Sequence, residues 1–167
     1  MTRRALVFAA VLLAASLCAA QQPELPSVRL NADSVVGKTI EDLTGQALAR
    51  DYAKAWRTLA IAFDKNQAYR IDNDFVGVAA DKLSSAVAMQ ARSGLHRRYV
   101  DRGHQVQALF YSPDGTSVEL RDTANFEVQY MDGDKVLHTE NGTKTYIALM
   151  TPTEIRWKVR VLQEVEK

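Results

Sequence analysis

Asp122 is the residue whose type and position point most directly to chemistry. The surrounding segment 117–130, SVELRDTANFEVQY, alternates between polar and apolar residues, and Asp122 falls among the apolar positions. Alternation with a period of two predicts a half-buried β-strand, so parity places this carboxylate on the covered face. Burial near Trp56, Phe126 and Tyr130 would raise the pKa of this carboxylate toward a range useful for proton transfer.

A structural role for Asp122 is the alternative. The strand is long, and long twisted strands usually bend at a bulge, which would reset the parity and turn the carboxylate outward. A turn at Asp132-Gly133 would place Asp122 opposite Lys144, and Arg121 is a second candidate partner. Because buried unpaired carboxylates are rare, a paired position near such an irregularity is favoured.

Motifs of the common catalytic and metal-binding classes are missing from the sequence. It contains no glycine-rich phosphate loop, no G-x-S-x-G elbow and no H-E-x-x-H helix. His96, His104 and His138 are scattered, without carboxylates at helical ligand spacing. We therefore expect no cofactor and no metal.

Two basic segments allow two interpretations. Segment 92–102, RSGLHRRYVDR, could bind an anion, and the row Arg156, Lys158 and Arg160 could bind an acidic partner or lipid headgroups. More often such charges form a solvated face, where an ion pair contributes little to stability.

The first twenty residues resemble a secretory signal peptide. Arg3 and Arg4 precede the uncharged apolar run 5–17, and small residues lead up to Gln21. The run is shorter than the roughly 20 residues that span a bilayer, so no membrane span is expected. The sequence predicts an exported protein, periplasmic or extracellular, cleaved after residue 20.

Composition narrows the function of the exported part. Without residues 1–20, nineteen basic residues face twenty acidic ones, which argues against a nucleic-acid binder. The only cysteine, Cys18, leaves with the signal, so neither a disulfide nor a thiol nucleophile is expected.

Hydrophobic periodicity predicts helices first and strands afterwards. Residues 21–42 form an extended lead-in, and a single domain spans residues 43–167. Apolar residues recur at helical spacing over 43–65 and again over about 75–101, and from His104 onward the period changes to two. We expect an α+β fold in which two N-terminal helices pack on a curved, cone-like, four-stranded antiparallel meander.

This order of elements, ending in the strand with W-K-V at 157–159, resembles the nuclear transport factor 2-like superfamily, which includes SnoaL-type and ketosteroid-isomerase-like proteins. The resemblance covers about residues 43–163 and implies a curved sheet that wraps helices around a cavity. In its isomerases and dehydratases, an inward Asp or His removes a proton next to a carbonyl. By that resemblance Asp122 would be the base, with Tyr52 or Tyr130 as hydroxyl donor.

Three functions follow, in order of preference. The first is an exported, non-enzymatic module that binds a small apolar ligand or a partner protein, with Tyr52, Trp56, Phe126 and Tyr130 as candidate ligand-binding residues. The second is a small isomerase or lyase that uses Asp122. The third is a structural subunit that forms a homodimer through its sheet.

Overall fold

A computed structural model describes residues 24–165, so the signal sequence predicted at 1–20 lies outside the described residues. The described part contains two α-helices with a short 3-10 helix between them, and six strands. The helices are α1 (Asp42–Lys65), the 3-10 helix (Ala68–Asn73) and α2 (Gly77–Arg92). The strands are β1 (Val28–Asn31), β2 (Val36–Gly37), β3 (His96–Tyr111), β4 (Val118–Asp132), β5 (Lys135–Pro152) and β6 (Trp157–Val165).

The strands form one mixed sheet in the order β1-β3-β4-β5-β6, with β2 also paired to β3. The predicted α+β class and the antiparallel meander β3 to β6 are present, but the sheet has six strands rather than four. The two additional strands lie in the predicted lead-in and run parallel to β3. In β1, Val28 and Leu30 turn toward the core while Arg29 faces solvent, an alternation too short to stand out from the sequence.

Helix α1 covers one face of the sheet through the apolar stripe that its sequence predicts. The buried members of the stripe include Leu48, Tyr52, Trp56, Leu59 and Phe63. Their three- and four-residue spacing places them on one side of the helix. The helix ends at Asn66, which adopts the left-handed conformation (φ 54°) and donates its backbone N–H to Ala62.

The second predicted helix ends earlier than its sequence suggests. It stops at Arg92, and Gly94 adopts a left-handed conformation (φ 74°) before β3 begins at His96. Residues 96–101 are therefore strand rather than helix. The basic segment is dispersed as a result: Arg97 stacks on the Phe63 ring at 4.2 Å, and Arg102 pairs with Glu127 at 2.8 Å.

The register between β4 and β5 differs by two positions from the one predicted. Asp122 lies opposite Tyr146, and Lys144 lies opposite Ala124 and pairs with Glu164. The hairpin closes between Asp132 and Lys135, and a register shift beside Tyr130 moves the pairing further. The expected contact between Asp122 and Lys144 is therefore wrong.

Candidate functional site

Asp122 lies on the covered face of β4, in contact with two other buried polar side chains. Its Oδ2 accepts a hydrogen bond from the Tyr52 hydroxyl at 2.9 Å and lies 2.7 Å from Nδ1 of His104. Neither Asp122 nor His104 is exposed to solvent, and Tyr52 is 1% exposed. We call Tyr52, Asp101, His104 and Asp122 the buried acid cluster.

Asp122 is paired, as expected, but its location contradicts the predicted irregularity in the strand. Pairing of β4 with both neighbours is continuous at this residue, opposite Val106 on β3 and Tyr146 on β5. The strand does carry a register shift toward β5, but it lies eight residues further on, beside Tyr130. Parity is therefore preserved at Asp122, and its partners come from the interior rather than from Arg121 or Lys144.

His104 connects the two carboxylates of the cluster. Its Nδ1 faces Asp122 and its Nε2 lies 2.8 Å from Oδ2 of Asp101. Burial alone would lower the pKa of this imidazole, but the hydrogen bonds and charges of Asp101 and Asp122 raise that pKa to about 9. His104 is therefore a cation at neutral pH, donating from both ring nitrogens.

Asp101 reaches His104 because β3 is bulged next to it. The pairing with β4 shifts between Asp101 and Gly103, and Gly103 has a φ of 117°, a conformation that favours glycine. The Gly103 N–H donates to Oδ1 of Asp101 at 2.8 Å, which fixes the carboxylate. Asp101 retains 23% side-chain exposure, so the cluster extends from the core to the surface at this residue.

Aromatic side chains enclose the cluster. Tyr52 and Trp56 are four residues apart on α1 and therefore share one face of the helix. The Trp56 ring lies 4.7 Å from the His104 ring and 5.2 Å from the Tyr146 ring, between centroids. Burial, together with the charge of Asp122, raises the pKa of the Tyr52 hydroxyl well above its ordinary value. The hydroxyl therefore acts as a neutral donor.

Two polar atoms of this region lack hydrogen-bond partners among the described residues: Oδ1 of Asp122 and Nε1 of Trp56. A buried carboxylate oxygen without a donor is costly and is often a sign of function. Chemically, Oδ1 is the free acceptor that a proton-transfer step would use. A reacting molecule would, however, have to displace the aromatic side chains that cover it.

An open cleft lies directly outside this layer. It has a volume of about 390 Å³ and is lined by Trp56, Tyr99, Phe126 and Asp101, with residues 24–27 forming one wall. We call it the aromatic cleft. Its volume lies within the usual range for small-molecule sites, roughly 300–1,000 Å³.

A smaller second cleft of about 210 Å³ adjoins it across Tyr99 and Phe126. Tyr130 and Tyr146 line this second cleft together with charged side chains that include Arg97 and Glu140. The Tyr130 hydroxyl lies 3.3 Å from Glu140, and Tyr130 is separate from the acid cluster. Of the two tyrosines proposed as hydroxyl donors, only Tyr52 contacts Asp122.

The four candidate ligand-binding residues are thus distributed over three places. Tyr52 belongs to the buried acid cluster, Trp56 lines the aromatic cleft, Tyr130 lines the second cleft, and Phe126 lines both clefts. Neither cleft is lined by Asp122 or His104.

Sequence reasoning missed His104 and Asp101. His104 shares its parity with Val106 and Ala108, so the alternation of β3 already placed it on the covered face. Its pairing with Asp122 depends on cross-strand register, and its contact with Asp101 depends on the bulge. Neither is visible as spacing along the chain.

Residues 24–165 contain no helix long and apolar enough to cross a bilayer. Over the same residues, no three His, Cys, Asp or Glu side chains are arranged to hold a metal ion.

Solved structures share this architecture. The intermembrane-space region of the chloroplast protein ARC6 superposes with a TM-score of 0.66 at 17% identity, covering 73% of this chain and 96% of that one. A scytalone dehydratase-like protein from Novosphingobium aromaticivorans superposes with a TM-score of 0.52 at 12% identity, covering 75% and 89%. No protein-family model and no curated protein sequence matches the chain. At this level of identity the likeness concerns the fold, on which unrelated functions occur.

Proposed function

We propose that this chain, which has the nuclear transport factor 2-like fold, is an exported, non-enzymatic module that binds a small apolar ligand in the aromatic cleft. The observation that supports this most strongly is that the aromatic cleft is separated from Asp122 and His104. The open cleft has aromatic walls, whereas Asp122 and His104 lie behind those walls, and only Asp101 of the buried acid cluster reaches the cleft.

The chemistry of the cleft suits an apolar, planar ligand. Trp56, Tyr99 and Phe126 offer ring faces and edges, which pack well against aromatic or alicyclic molecules. Asp101 places one carboxylate oxygen at the wall, held by Gly103 and His104. A ligand could donate a hydrogen bond to it, and a few polar contacts of this kind fix orientation in a site with aromatic walls. Glu24, Arg57 and Arg102 also line the cleft, so its charged groups lie beside the aromatic rings.

The buried acid cluster then has a structural role. Protonated His104 lies between two carboxylates and stacks near Trp56, so the cluster holds β3, β4 and α1 together beneath the cleft. Such a network fixes the position of the ring that forms the floor of the cleft.

Ligand binding is tested with N-phenyl-1-naphthylamine, a neutral probe whose fluorescence rises in apolar surroundings. Trp157→Phe leaves Trp56 as the only tryptophan, so energy transfer from Trp56 to the probe reports binding, and substitutions in the cleft locate it. We expect saturable binding that weakens at least about tenfold in Tyr99→Ala, the loss of a packed aromatic contact. Tyr69→Ala is the matched control, because Tyr69 is 69% exposed and lies outside the cleft. Equal effects of the two substitutions would contradict the proposal.

The free Oδ1 of Asp122 supports a second candidate function, a small isomerase or lyase. In that case Asp122 would remove a proton next to a carbonyl and Tyr52 would donate to the resulting oxyanion. The test is deuterium incorporation into cyclohexanone in D₂O, followed by NMR. Exchange that requires the protein and disappears in Asp122→Asn would favour the enzyme over the binding module.

The third possibility, a homodimer formed through the sheet, receives no support from the outer face of β4. The exposed residues there are polar, with Arg121, Thr123 and Asn125 in succession. Homodimer interfaces are usually more apolar than the rest of the surface.

A further inference from the structure

A second, chemically different cleft lies between α1, the 3-10 helix and the start of β6. Its volume is about 640 Å³, and five basic side chains line it against two acidic ones. We call it the basic cleft. The basic residues are Lys54, Arg57, Arg70, Arg156 and Lys158. Because the exported chain is nearly neutral, this excess of positive charge is local.

Two buried carboxylates support part of this positive surface from beneath. Asp51 has no exposure and accepts hydrogen bonds from Lys54 at 3.3 Å, from Arg50 at 3.0 Å and from the Trp157 backbone N–H at 3.0 Å. Burial would raise the pKa of Asp51, but these donors together hold it below its ordinary value. Asp51 is therefore a fixed negative charge that holds both Lys54 of α1 and the first residue of β6.

Asp74 has the same role for Arg156. This carboxylate is 4% exposed, accepts from the Thr58 hydroxyl at 2.6 Å and pairs with Arg156 at 3.1 Å. The strand and the end of the 3-10 helix are joined here, since the Val159 N–H donates to the Asp74 carbonyl at 3.0 Å. The walls of the cleft are thus held by part-buried hydrogen bonds to two buried carboxylates.

Three cations of the basic cleft have no acidic partner within residues 24–165: Arg57, Arg70 and Lys158. Lys158 donates to the backbone carbonyl of Asp72 at 2.8 Å, and Arg70 donates to the side chain of Gln67. Guanidinium and ammonium groups that are not neutralised by carboxylates attract oxyanions, and Arg presents a planar fork that matches a phosphate group.

We propose that the basic cleft binds a phosphate-bearing ligand, whose oxygens would accept hydrogen bonds from several of these side chains at once. The cleft has room for more than one phosphate group, and three separate elements contribute donors to it. This site is independent of the proposed ligand-binding function, and the two share only Arg57 at their border.

The test is isothermal titration of the exported chain with inorganic pyrophosphate at low and at physiological ionic strength. We expect binding that weakens with salt, as charge-driven binding does, and that weakens at least about tenfold in Arg70→Gln/Lys158→Gln. The matched control is Lys82→Gln/Lys135→Gln, which removes the same charge outside the cleft. Absence of binding, or an equal loss in the control, would overturn the proposal.

A second variant keeps the test independent of folding. Ile155 lines the basic cleft and is 78% exposed, so its replacement removes little buried contact. Ile155→Glu adds a negative charge beside the cations and should weaken pyrophosphate binding, whereas neutral Ile155→Gln should leave it unchanged. Equal affinities for the two variants would contradict the proposal.

Free phosphates and lipid headgroups share this chemistry, and vesicles separate them. Phosphatidylcholine vesicles with and without phosphatidylinositol phosphate are sedimented with the protein. Vesicle binding that pyrophosphate displaces assigns the site to a headgroup, and pyrophosphate binding without vesicle binding assigns it to a soluble ligand. Vesicle binding that persists in excess pyrophosphate and in Arg70→Gln/Lys158→Gln would overturn the proposal.

Discussion

Nδ1 of His104 and Oδ2 of Asp122 are 2.7 Å apart, and neither side chain is exposed to solvent. Removing one partner of a buried ion pair leaves the other charged and desolvated, which is strongly destabilising. The second nitrogen of His104 contacts Asp101, so two carboxylates stabilise the protonated imidazole. The stability of the fold should therefore depend on the protonation of His104.

The free energy of unfolding should fall as pH rises from about 6.5 to 9. The pKa of His104 is raised from 6.5 to about 9 in the folded protein, so its stabilising contribution is complete below 6.5 and is lost as pH passes 9. The size of this contribution is on the order of 3 kcal/mol. Urea unfolding at several pH values measures it.

His104→Asn is the control for this pH dependence, since it removes this imidazole and leaves the other residues in place. Parallel pH curves for wild type and variant would contradict the expectation. Should the variant not fold, the ring signals of His104 in the wild type provide the same answer by NMR, with a midpoint near 9.

Asp122→Ala should lower the free energy of unfolding by about 3–5 kcal/mol, because it leaves His104 and Tyr52 facing a cavity without their acceptor. Asp122→Asn retains an acceptor oxygen and should cost less, about 1–3 kcal/mol. Asp132→Asn is the control, as Asp132 is exposed in the hairpin. A loss below about 1 kcal/mol for Asp122→Ala would show that the cluster contributes little to stability.

Local pattern predicted much of the fold. The stripe from Leu48 to Phe63 and the alternation of β4 each depend on residues a few positions apart, and both elements form where the pattern indicates. The α+β class and the nuclear transport factor 2-like resemblance followed from their order.

What the sequence did not predict depends on pairing between distant segments. A bulge between Ala108 and Phe110 turns Phe110 outward, where it is 37% exposed, although simple alternation places it inside. Predicting that His104 is the partner of Asp122 requires the register between β3 and β4. Predicting the basic cleft requires the contact between α1 and β6. Such contacts arise from tertiary packing, which a single sequence does not display.

Export remains a prediction from the first twenty residues. The positive start, the short apolar run and the small residues before Gln21 favour cleavage after Ala20. Intact-mass analysis of the exported protein, expressed from its full sequence in a bacterial host, should give a chain that begins at Gln21. Arg3→Glu/Arg4→Glu should reduce export, with Arg29→Glu as a control in the exported part. Full-length protein retained in the cytosol of the wild-type strain would show that the segment is not a signal.

Trp56 should be essential to the core through its ring rather than through its indole N–H. The side chain is 5% exposed and packs against His104, Phe126 and Tyr146, so Trp56→Ala should lower the free energy of unfolding by about 3–5 kcal/mol. Trp56→Phe keeps much of the ring contact and removes a buried donor that has no partner among the described residues, so it should cost less than half as much. Denaturant unfolding followed by circular dichroism compares the two, since the reporting tryptophan is itself replaced. Equal losses for Trp56→Phe and Trp56→Ala would contradict this expectation. They would mean that the indole N–H itself contributes to stability, through a contact such as a bound water.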